Sequence, residues 1–246
     1  MIAPDKHLQT DHGPITAVTP RLMGFIIGPV LSLSVVYYGI GRCITRSPLN
    51  YLDYLVLTSV LALVITGGYQ VFFWAQRNNY YLPTRCLHCR FDDYIPFRPS
   101  WVWPYSVVYM MMLGAVLGTI RSLQEGLYVM FSGILLLAVH SGFAMLFPCT
   151  VPKRYRQYTI EGPSTQLLYL IQRFDNKHSA FPSMHCSLGT FVGLLLYSRM
   201  PLPSAVFIAL TPVACLLVKQ HQIGDTVGGI LLGGAMYCVV HATLGV

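Results

Sequence analysis

Charged residues are scarce in this chain of 246 residues. Only 10% of them are Asp, Glu, Lys or Arg, whereas an ordinary soluble domain has about 25%. So few charges cannot cover the surface of a water-soluble globular protein, which excludes that class. Hydrophobic residues make up 54% of the chain, and the mean hydropathy is +0.55. The sequence therefore predicts an integral, multi-pass membrane protein.

Three further absences narrow the possibilities. There is no polar face on which basic residues concentrate, so nucleic acid is not an expected partner, and the net charge of +7 is more typical of basic residues near anionic lipid headgroups. A cysteine framework is also missing: the chain has seven cysteines, and four of them, at 149, 186, 215 and 238, lie in or beside apolar runs, where they resemble small buried hydrophobes. No small-residue cleavage pattern follows the first apolar run, which favours a signal anchor.

Long apolar runs, by contrast, are abundant. A bilayer core of ~30 Å needs a helix of about 20 apolar residues, and about seven segments approach or exceed that length. They are residues 22–42, 54–75, 102–120, 126–148, 184–200, 203–219 and 224–245. The last of them contains GGILLGG, from Gly228 to Gly234, whose small residues favour close helix packing. The pattern predicts an all-α polytopic helix bundle.

A shorter segment has a different character. The string PSTQLLYLIQRF (163–174) begins with a helix-start signal, and its apolar residues recur at helical spacing. Such a segment is typical of a short helix that lies in the membrane interface.

Two clusters of ionisable residues stand at the ends of apolar segments, where such residues are costly and are candidates for function. Ser183 and His185 begin the fifth segment. Lys219 and His221 stand at the end of the sixth, and Asp225 opens the seventh. The spacing of four between His221 and Asp225 would place both on one helix face. The carboxylate could then hold one ring nitrogen and make the other more nucleophilic.

With seven spans, the ends of the fourth and sixth segments lie on the same side of the membrane as the starts of the fifth and seventh. This prediction brings seven side chains to one membrane face. They are Lys153, Arg154, Ser183, His185, Lys219, His221 and Asp225. Two histidines, one carboxylate and three cations suit a phosphate ester on a lipid, because the cations balance its charge and helix N-terminal amides can bind its oxygens. Taken singly, these residues have simpler explanations, such as an interfacial histidine or headgroup contacts.

The strings AFPSMH (180–185) and KQHQIGD (219–225) resemble the second and third signature motifs of the type-2 phosphatidic acid phosphatase superfamily. They are most similar to the branch that includes inositol phosphorylceramide synthases and their bacterial relatives. DDYIPFRPSWVWPYS (92–106) resembles a stretch that precedes a core membrane helix in those relatives, and FPCTVPKR (147–154) stands where their first motif lies. The resemblance covers roughly residues 54–240.

The resemblance implies a six-helix core and phosphoryl transfer that needs no metal or cofactor. His221 would attack phosphorus and form a phosphohistidine, and Asp225 would orient it. His185 would protonate the leaving oxygen and then activate the water or alcohol that accepts the phosphoryl group. Ser183 would contact phosphate oxygens. The chain would then divide into a polar tail, an added N-terminal helix with its loop, and a catalytic membrane domain, at residues 1–21, 22–53 and 54–246.

The chain departs from the family pattern in its phosphate-binding cations. Tyr155 follows Arg154 where the family has proline, Phe147 stands where it has lysine, and Cys215 stands where it has arginine. Lys219 is the candidate substitute for that arginine, so phosphate charge would be balanced by Lys153, Arg154 and Lys219.

One competing site lies in TRCLHCRF (84–91), where Cys86 and Cys89 form a CxxC pair around His88. A structural zinc site needs four ligands, and no second close pair of Cys or His lies in the neighbouring loops. A loop with incidental cysteines is therefore the preferred interpretation over a zinc or redox site.

Three functions stay open on these residues: a lipid phosphatase that uses water, a headgroup phosphotransferase that uses an alcohol or lipid acceptor, and a non-catalytic scaffold or transporter. The membrane lipid is the expected partner in the first two, and the oligomeric state is open. Most Lys and Arg lie on the candidate-site side, which favours a cytoplasmic site, whereas relatives of the family mostly work on the lumenal or periplasmic face. The side of the membrane to which the candidate site opens is therefore left open.

Overall fold

Helices form the regular structure of this protein. The computed structural model describes residues 20–79, 82–174 and 179–244, and within these ranges there is no strand, only two isolated bridges between loops. The all-α fold class is thereby confirmed for the described residues. The predicted polar tail, residues 1–21, lies outside them except for its last two positions.

Nine helices occur in the described ranges. In chain order they are α1 (Pro20–Ile40), α2 (Tyr51–Arg77), α3 (Arg90–Tyr94), α4 (Pro99–Thr119), α5 (Leu123–Leu146), α6 (Pro163–Phe174), α7 (Met184–Tyr197), α8 (Pro201–Leu217) and α9 (Ile223–Leu244). π-helical turns follow α1 at Gly41–Thr45 and interrupt α2 at Val64–Gly68 and α4 at Pro104–Val108. The turn in α4 begins at a proline, which has no N–H to donate within the helix.

Five helical segments are long and apolar enough to cross a membrane. They are Ile27–Thr45, Tyr51–Arg77, Pro99–Thr119, Leu123–Leu146 and Ile223–Thr243. The other two predicted spans correspond to α7 and α8, which are apolar but have only 14 and 17 residues. At about 1.5 Å per residue, a helix of that length falls short of a ~30 Å hydrocarbon core. The structure thus supports a membrane protein, and the count of seven spans stays a prediction.

The centre of the bundle is α7, which packs against α8 on one side and α9 on the other. Two glycines of α9 allow the closest approach. A Cβ atom on Gly229 would lie 2.5 Å from the carbonyl oxygen of Ser183, and one on Gly233 would lie 2.2 Å from that of Ser187. Side chains at these positions would overlap the α7 backbone, so the predicted close packing by the glycine-rich segment is confirmed.

The predicted interfacial segment forms α6, with the bounds expected from its sequence. Leu168 is fully buried among Val102 and Tyr105 of α4 and Cys186 of α7. The opposite side of the helix exposes Tyr169 and Leu170, which suits a helix that has protein on one face and lipid on the other. This helix therefore covers the end of the bundle at which α7 begins.

Candidate active site

The two predicted histidines are neighbours in the folded chain. His185 lies in the first turn of α7, and His221 lies in the loop between α8 and α9. Their ring centroids are 6.4 Å apart, with 53° between the ring planes. Residues separated by 36 positions in the sequence thus share one end of the bundle, where α5 and α8 end and α7 and α9 begin.

His221 is oriented by a backbone carbonyl. Its Nδ1 lies 3.0 Å from the carbonyl oxygen of Ala180, so Nδ1–H is the donor and Nε2 is the unprotonated nitrogen of the neutral ring. Asp225 Oδ2 lies 3.8 Å from the same Nδ1, which is too long for a hydrogen bond. The carboxylate is thus close enough to interact electrostatically with the ring, while Ala180 fixes its direction.

The carbonyl of Ala180, which accepts from His221, is held by a ladder of backbone hydrogen bonds that joins three neighbouring loops. The amide of Ala180 donates to the carbonyl of Cys149 at 2.9 Å, and the amide of Thr150 donates to the carbonyl of Arg85 at 2.8 Å. Cys149 is fully buried between these contacts. Burial, together with the nearby Asp225 carboxylate, raises the pKa of the Cys149 thiol to about 12, which keeps it protonated. The ladder therefore gives the His221 acceptor a rigid and uncharged support.

Asp225 is fully buried at the start of α9. Its Oδ2 accepts the amide of Gln222 at 2.9 Å, whereas Oδ1 has no hydrogen-bond partner. An unpartnered buried carboxylate oxygen is costly. Because the Asp225 carboxylate lies beside His221, it can balance positive charge that develops on the imidazole.

Aromatic rings surround His185. Tyr105 of α4 stacks on the imidazole with 4.2 Å between ring centroids and 19° between planes, and Tyr109 lies at 4.6 Å. The Tyr105 hydroxyl is 3.3 Å from His185 Nδ1. Neither tyrosine was singled out in the sequence, although both lie in or just after the stretch 92–106 that carries part of the family resemblance.

Ser183 connects the two helices that begin at the site. Its amide donates to the carbonyl of Asp225 at 2.9 Å, and its hydroxyl accepts the amide of Cys186 at 3.3 Å as the N-cap of α7. The residue is fully buried, and both groups are engaged. Direct contact of Ser183 with phosphate stays a prediction. The amides of Met184 and His185, which occupy the first turn of α7 and have no intrahelical acceptor, are the alternative donors.

Lys219 lies near the site but points its ammonium at protein groups. Its Nζ donates to the carbonyl of Asp92 at 2.7 Å and lies 4.7 Å from the Tyr155 ring centroid. Burial lowers the pKa of Lys219, and the charges of Asp92 and Asp93 oppose that shift. Binding of phosphate by Lys219, predicted from the sequence, would require the ammonium to leave the Asp92 carbonyl or to act at a distance.

The remaining predicted cations are exposed at the rim of the site, on a 3-10 turn that spans Lys153–Arg156. Arg154 forms an ion pair with Asp93, and its guanidinium is 2.9 Å from Nε2 of His88. Arg85 is also exposed and lies over the Phe147 ring at 4.5 Å. Arg85 was not among the predicted site residues, yet its backbone carbonyl accepts the amide of Thr150 in the loops beneath His221, which makes it a further candidate for binding phosphate.

The described residues contain no group of three or more His, Cys, Asp or Glu side chains arranged to hold a metal ion. Cys86 instead accepts a hydrogen bond from Gln222 Nε2 at 3.3 Å, and the Cys89 amide donates to Asp92 at 2.8 Å. The CxxC pair therefore supports the loop before α9, and the zinc alternative gains no support.

Comparison with known proteins agrees with the geometry. A model of the PAP2 superfamily matches residues 83–239, which is more than half of the chain and includes all the candidate site residues. No curated protein and no solved structure matches the chain. PAP2 denotes the type-2 phosphatidic acid phosphatases, so the match confirms the superfamily predicted from the sequence. It does not confirm the branch of inositol phosphorylceramide synthases. The chain therefore belongs to the PAP2 superfamily.

Proposed function

We propose that this protein is a membrane-embedded lipid phosphatase or phosphotransferase that works through a phosphohistidine on His221. Membership of the PAP2 superfamily indicates a phosphatase-type phosphoesterase. The observation that carries the proposal is the pairing of His221, whose Nδ1 is bound to Ala180, with His185 at a ring separation of 6.4 Å. Such a pair supplies both a nucleophile and a proton carrier at one phosphorus centre.

In the first step Nε2 of His221 attacks phosphorus and the bond from phosphorus to the lipid oxygen breaks. Protonated His185 donates its proton to that leaving oxygen. In the second step neutral His185 takes a proton from water or an alcohol, whose oxygen attacks phosphorus as the N–P bond breaks. His221 is then regenerated, and the acceptor decides between hydrolysis and transfer.

Charge is balanced by the groups around the two rings. Asp225, at 3.8 Å from His221 Nδ1, stabilises the positive charge of the phosphorylated imidazole. Arg154 and Lys153 at the rim neutralise the phosphate. Helix N-terminal amides beside Ser183 bind its oxygens. Lys219 contributes positive potential from its place on the Asp92 carbonyl.

The substrate class follows from the surroundings. Five helical segments long enough to cross a bilayer, and the amphipathic helix α6 beside the start of α7, support a lipid as the substrate. We propose that the phosphate ester belongs to a membrane lipid and that the acceptor is water, an alcohol or a second lipid.

The test is an assay of the purified full chain in detergent with labelled phosphatidic acid and labelled phospholipids, with and without diacylglycerol or ceramide. Free phosphate indicates hydrolysis, and a new labelled phospholipid indicates transfer. His221→Ala should abolish the product, and His185→Ala should lower its rate of formation by roughly 10²–10⁴-fold, while both variants stay folded. Wild-type protein that turns over none of these lipids would instead favour a non-catalytic scaffold or transporter.

A further inference from the structure

We infer that Asp92 is a positioning residue for His221 and acts through the backbone of the loop that carries it. This inference rests on the proposed function. Asp92 belongs to the short helix α3 and is 1% exposed. It is 129 positions from His221 in the sequence and touches neither histidine. Its contacts are instead with the two ends of the loop 219–223.

The first contact fixes the end of the loop where α9 begins. Asp92 Oδ1 accepts the backbone amide of Ile223, the first residue of α9, at 2.8 Å. The preceding amide, of Gln222, is taken by Asp225. Two carboxylates thus satisfy amides at the start of α9 that have no intrahelical acceptor, and both are favoured there by the helix dipole.

The second contact fixes the other end of the loop. The backbone carbonyl of Asp92 accepts Lys219 Nζ at 2.7 Å. Lys219 has a φ of 56°, in the left-handed region that non-glycine residues rarely occupy. A residue in such a conformation needs tertiary contacts to hold it. His221 therefore stands in the middle of a five-residue loop whose two ends are held by one residue.

Asp92 is also held in place locally. Its Oδ2 accepts the amide of Cys89 at 2.8 Å, as part of the cap of α3. Burial alone would raise the pKa of the Asp92 carboxyl, but hydrogen bonds from the amides of Cys89 and Ile223 outweigh it and keep the pKa below the ordinary value. The carboxylate is therefore charged at neutral pH, with a partner on each oxygen.

The experiment compares Asp92→Ala with Asp92→Asn in the full chain. The alanine variant loses the side-chain bond to Ile223, and a small displacement of His221 should lower kcat by roughly 10²-fold, with KM changed by less than about threefold because Asp92 does not contact substrate. Asparagine keeps an oxygen that can accept from Ile223, so Asp92→Asn should recover much of kcat. If the alanine variant fails to fold, the kcat of Asp92→Asn tests the inference in its place.

Two control variants separate positioning from general stability. Asp53→Asn alters a carboxylate that caps only its own helix, α2, with Asn50. Glu125→Gln breaks an ion pair with Arg199 at the other end of the bundle. Both should leave kcat near the wild-type value even where the melting temperature falls. A loss of kcat in Asp92→Ala no greater than that in a control of equal melting temperature would overturn the inference.

Hydrogen exchange of the free protein supplies a readout that does not depend on turnover. Amides of residues 219–223 should exchange at least about tenfold faster in Asp92→Ala than in the wild type, with little change elsewhere. Unchanged exchange there would refute the positioning role while leaving the proposed chemistry intact. Wild-type protein that forms no phosphohistidine would refute the chemistry, and the exchange data would still test the contact.

Discussion

The two histidines of the site are held in opposite ways. His221 is held by polar groups: a backbone carbonyl on Nδ1 and a buried carboxylate 3.8 Å from the same nitrogen. His185 is held by aromatic rings: Tyr105 stacks on it, Tyr109 packs against it at a tilt, and the Tyr105 hydroxyl lies 3.3 Å from Nδ1. A carbonyl fixes the tautomer and direction of a ring, whereas stacking fixes the plane of the ring.

This difference agrees with the two proposed roles, a nucleophile at His221 and a general acid and base at His185. A nucleophile needs one defined unprotonated nitrogen, which the Ala180 contact provides for His221. A general acid and base must gain and lose a proton in each cycle, which is the role proposed for His185.

The largest effect should come from removing each ring in turn. General acid–base catalysis contributes about 10²–10⁴-fold, so His185→Ala should lose that factor with a lipid substrate. With an aryl phosphate, whose leaving group needs no proton, it should still form a phosphoprotein. His221→Ala should form none with either substrate. Labelled phosphoprotein is measured after a rapid quench at alkaline pH, and a phosphoprotein in His221→Ala would contradict the assignment.

A smaller loss of kcat is expected for Asp225→Asn. The variant keeps an oxygen for the Gln222 amide but removes the charge beside His221. Two unit charges about 4 Å apart interact by about 1 kcal/mol in water and about 4 kcal/mol at an effective dielectric constant of about 20, so kcat should fall by roughly 10- to 100-fold. Asp53→Asn is the matched control, since it removes the charge of a half-buried capping carboxylate at the start of α2. Equal kcat in Asp225→Asn and wild type would show that Ala180 alone orients the ring.

The shared position of the histidines depends on the seam between α7 and α9. Gly233→Ala would place a Cβ 2.2 Å from the Ser187 carbonyl, whereas Gly234, the next residue, has nothing within 4 Å of its Cβ position. Overpacking of this kind costs about 1–3 kcal/mol, so Gly233→Ala should lower the melting temperature in detergent. Gly234→Ala should not. Equal melting temperatures would show that the helices can separate without cost.

The smallest effect is expected at the ring stack. Tyr105→Phe keeps the stacking on His185 and loses one hydrogen bond, worth about 1 kcal/mol, so kcat should fall by roughly fivefold. Tyr105→Leu also loses the ring contact, worth about 0.5–1.5 kcal/mol, so its kcat should be lower than that of Tyr105→Phe. Steady-state kinetics measure both. A larger loss in the phenylalanine variant than in the leucine variant would contradict a stacking role.

Much of the candidate site could be predicted from short sequence patterns. The helix start before His185 and the order of the apolar segments predicted that the two histidines share one end of the bundle, where the structure also has them. The prediction that His221 and Asp225 lie on one helix face was wrong, because His221 lies in the loop before α9 and its Nδ1 is held by the Ala180 carbonyl instead of the Asp225 carboxylate. The bounds of α6 followed from its helix-start signal. The helix starts at His185 and at α6 could be predicted because a helix start depends on neighbouring residues and on local periodicity.

The contacts that orient the side chains could not be predicted in the same way. The acceptor for His221 is a backbone carbonyl, which every residue has, so no residue type marks Ala180. Lys219 was expected at phosphate, yet its ammonium lies on the carbonyl of Asp92, from a segment more than a hundred positions earlier. The lengths of α7 and α8 also depend on where loops leave the bundle, which hydropathy alone does not indicate.

By itself the sequence determined that this chain is an apolar helix bundle with two histidines and a carboxylate at helix starts, because composition and helical spacing are properties of neighbouring residues. Only the tertiary structure decided which group holds each ring, that Tyr105 and Tyr109 enclose His185, and that Asp92 ties down the loop of His221. Those choices depend on loops that meet across the bundle, and backbone groups from distant segments can find one another only once the helices have packed.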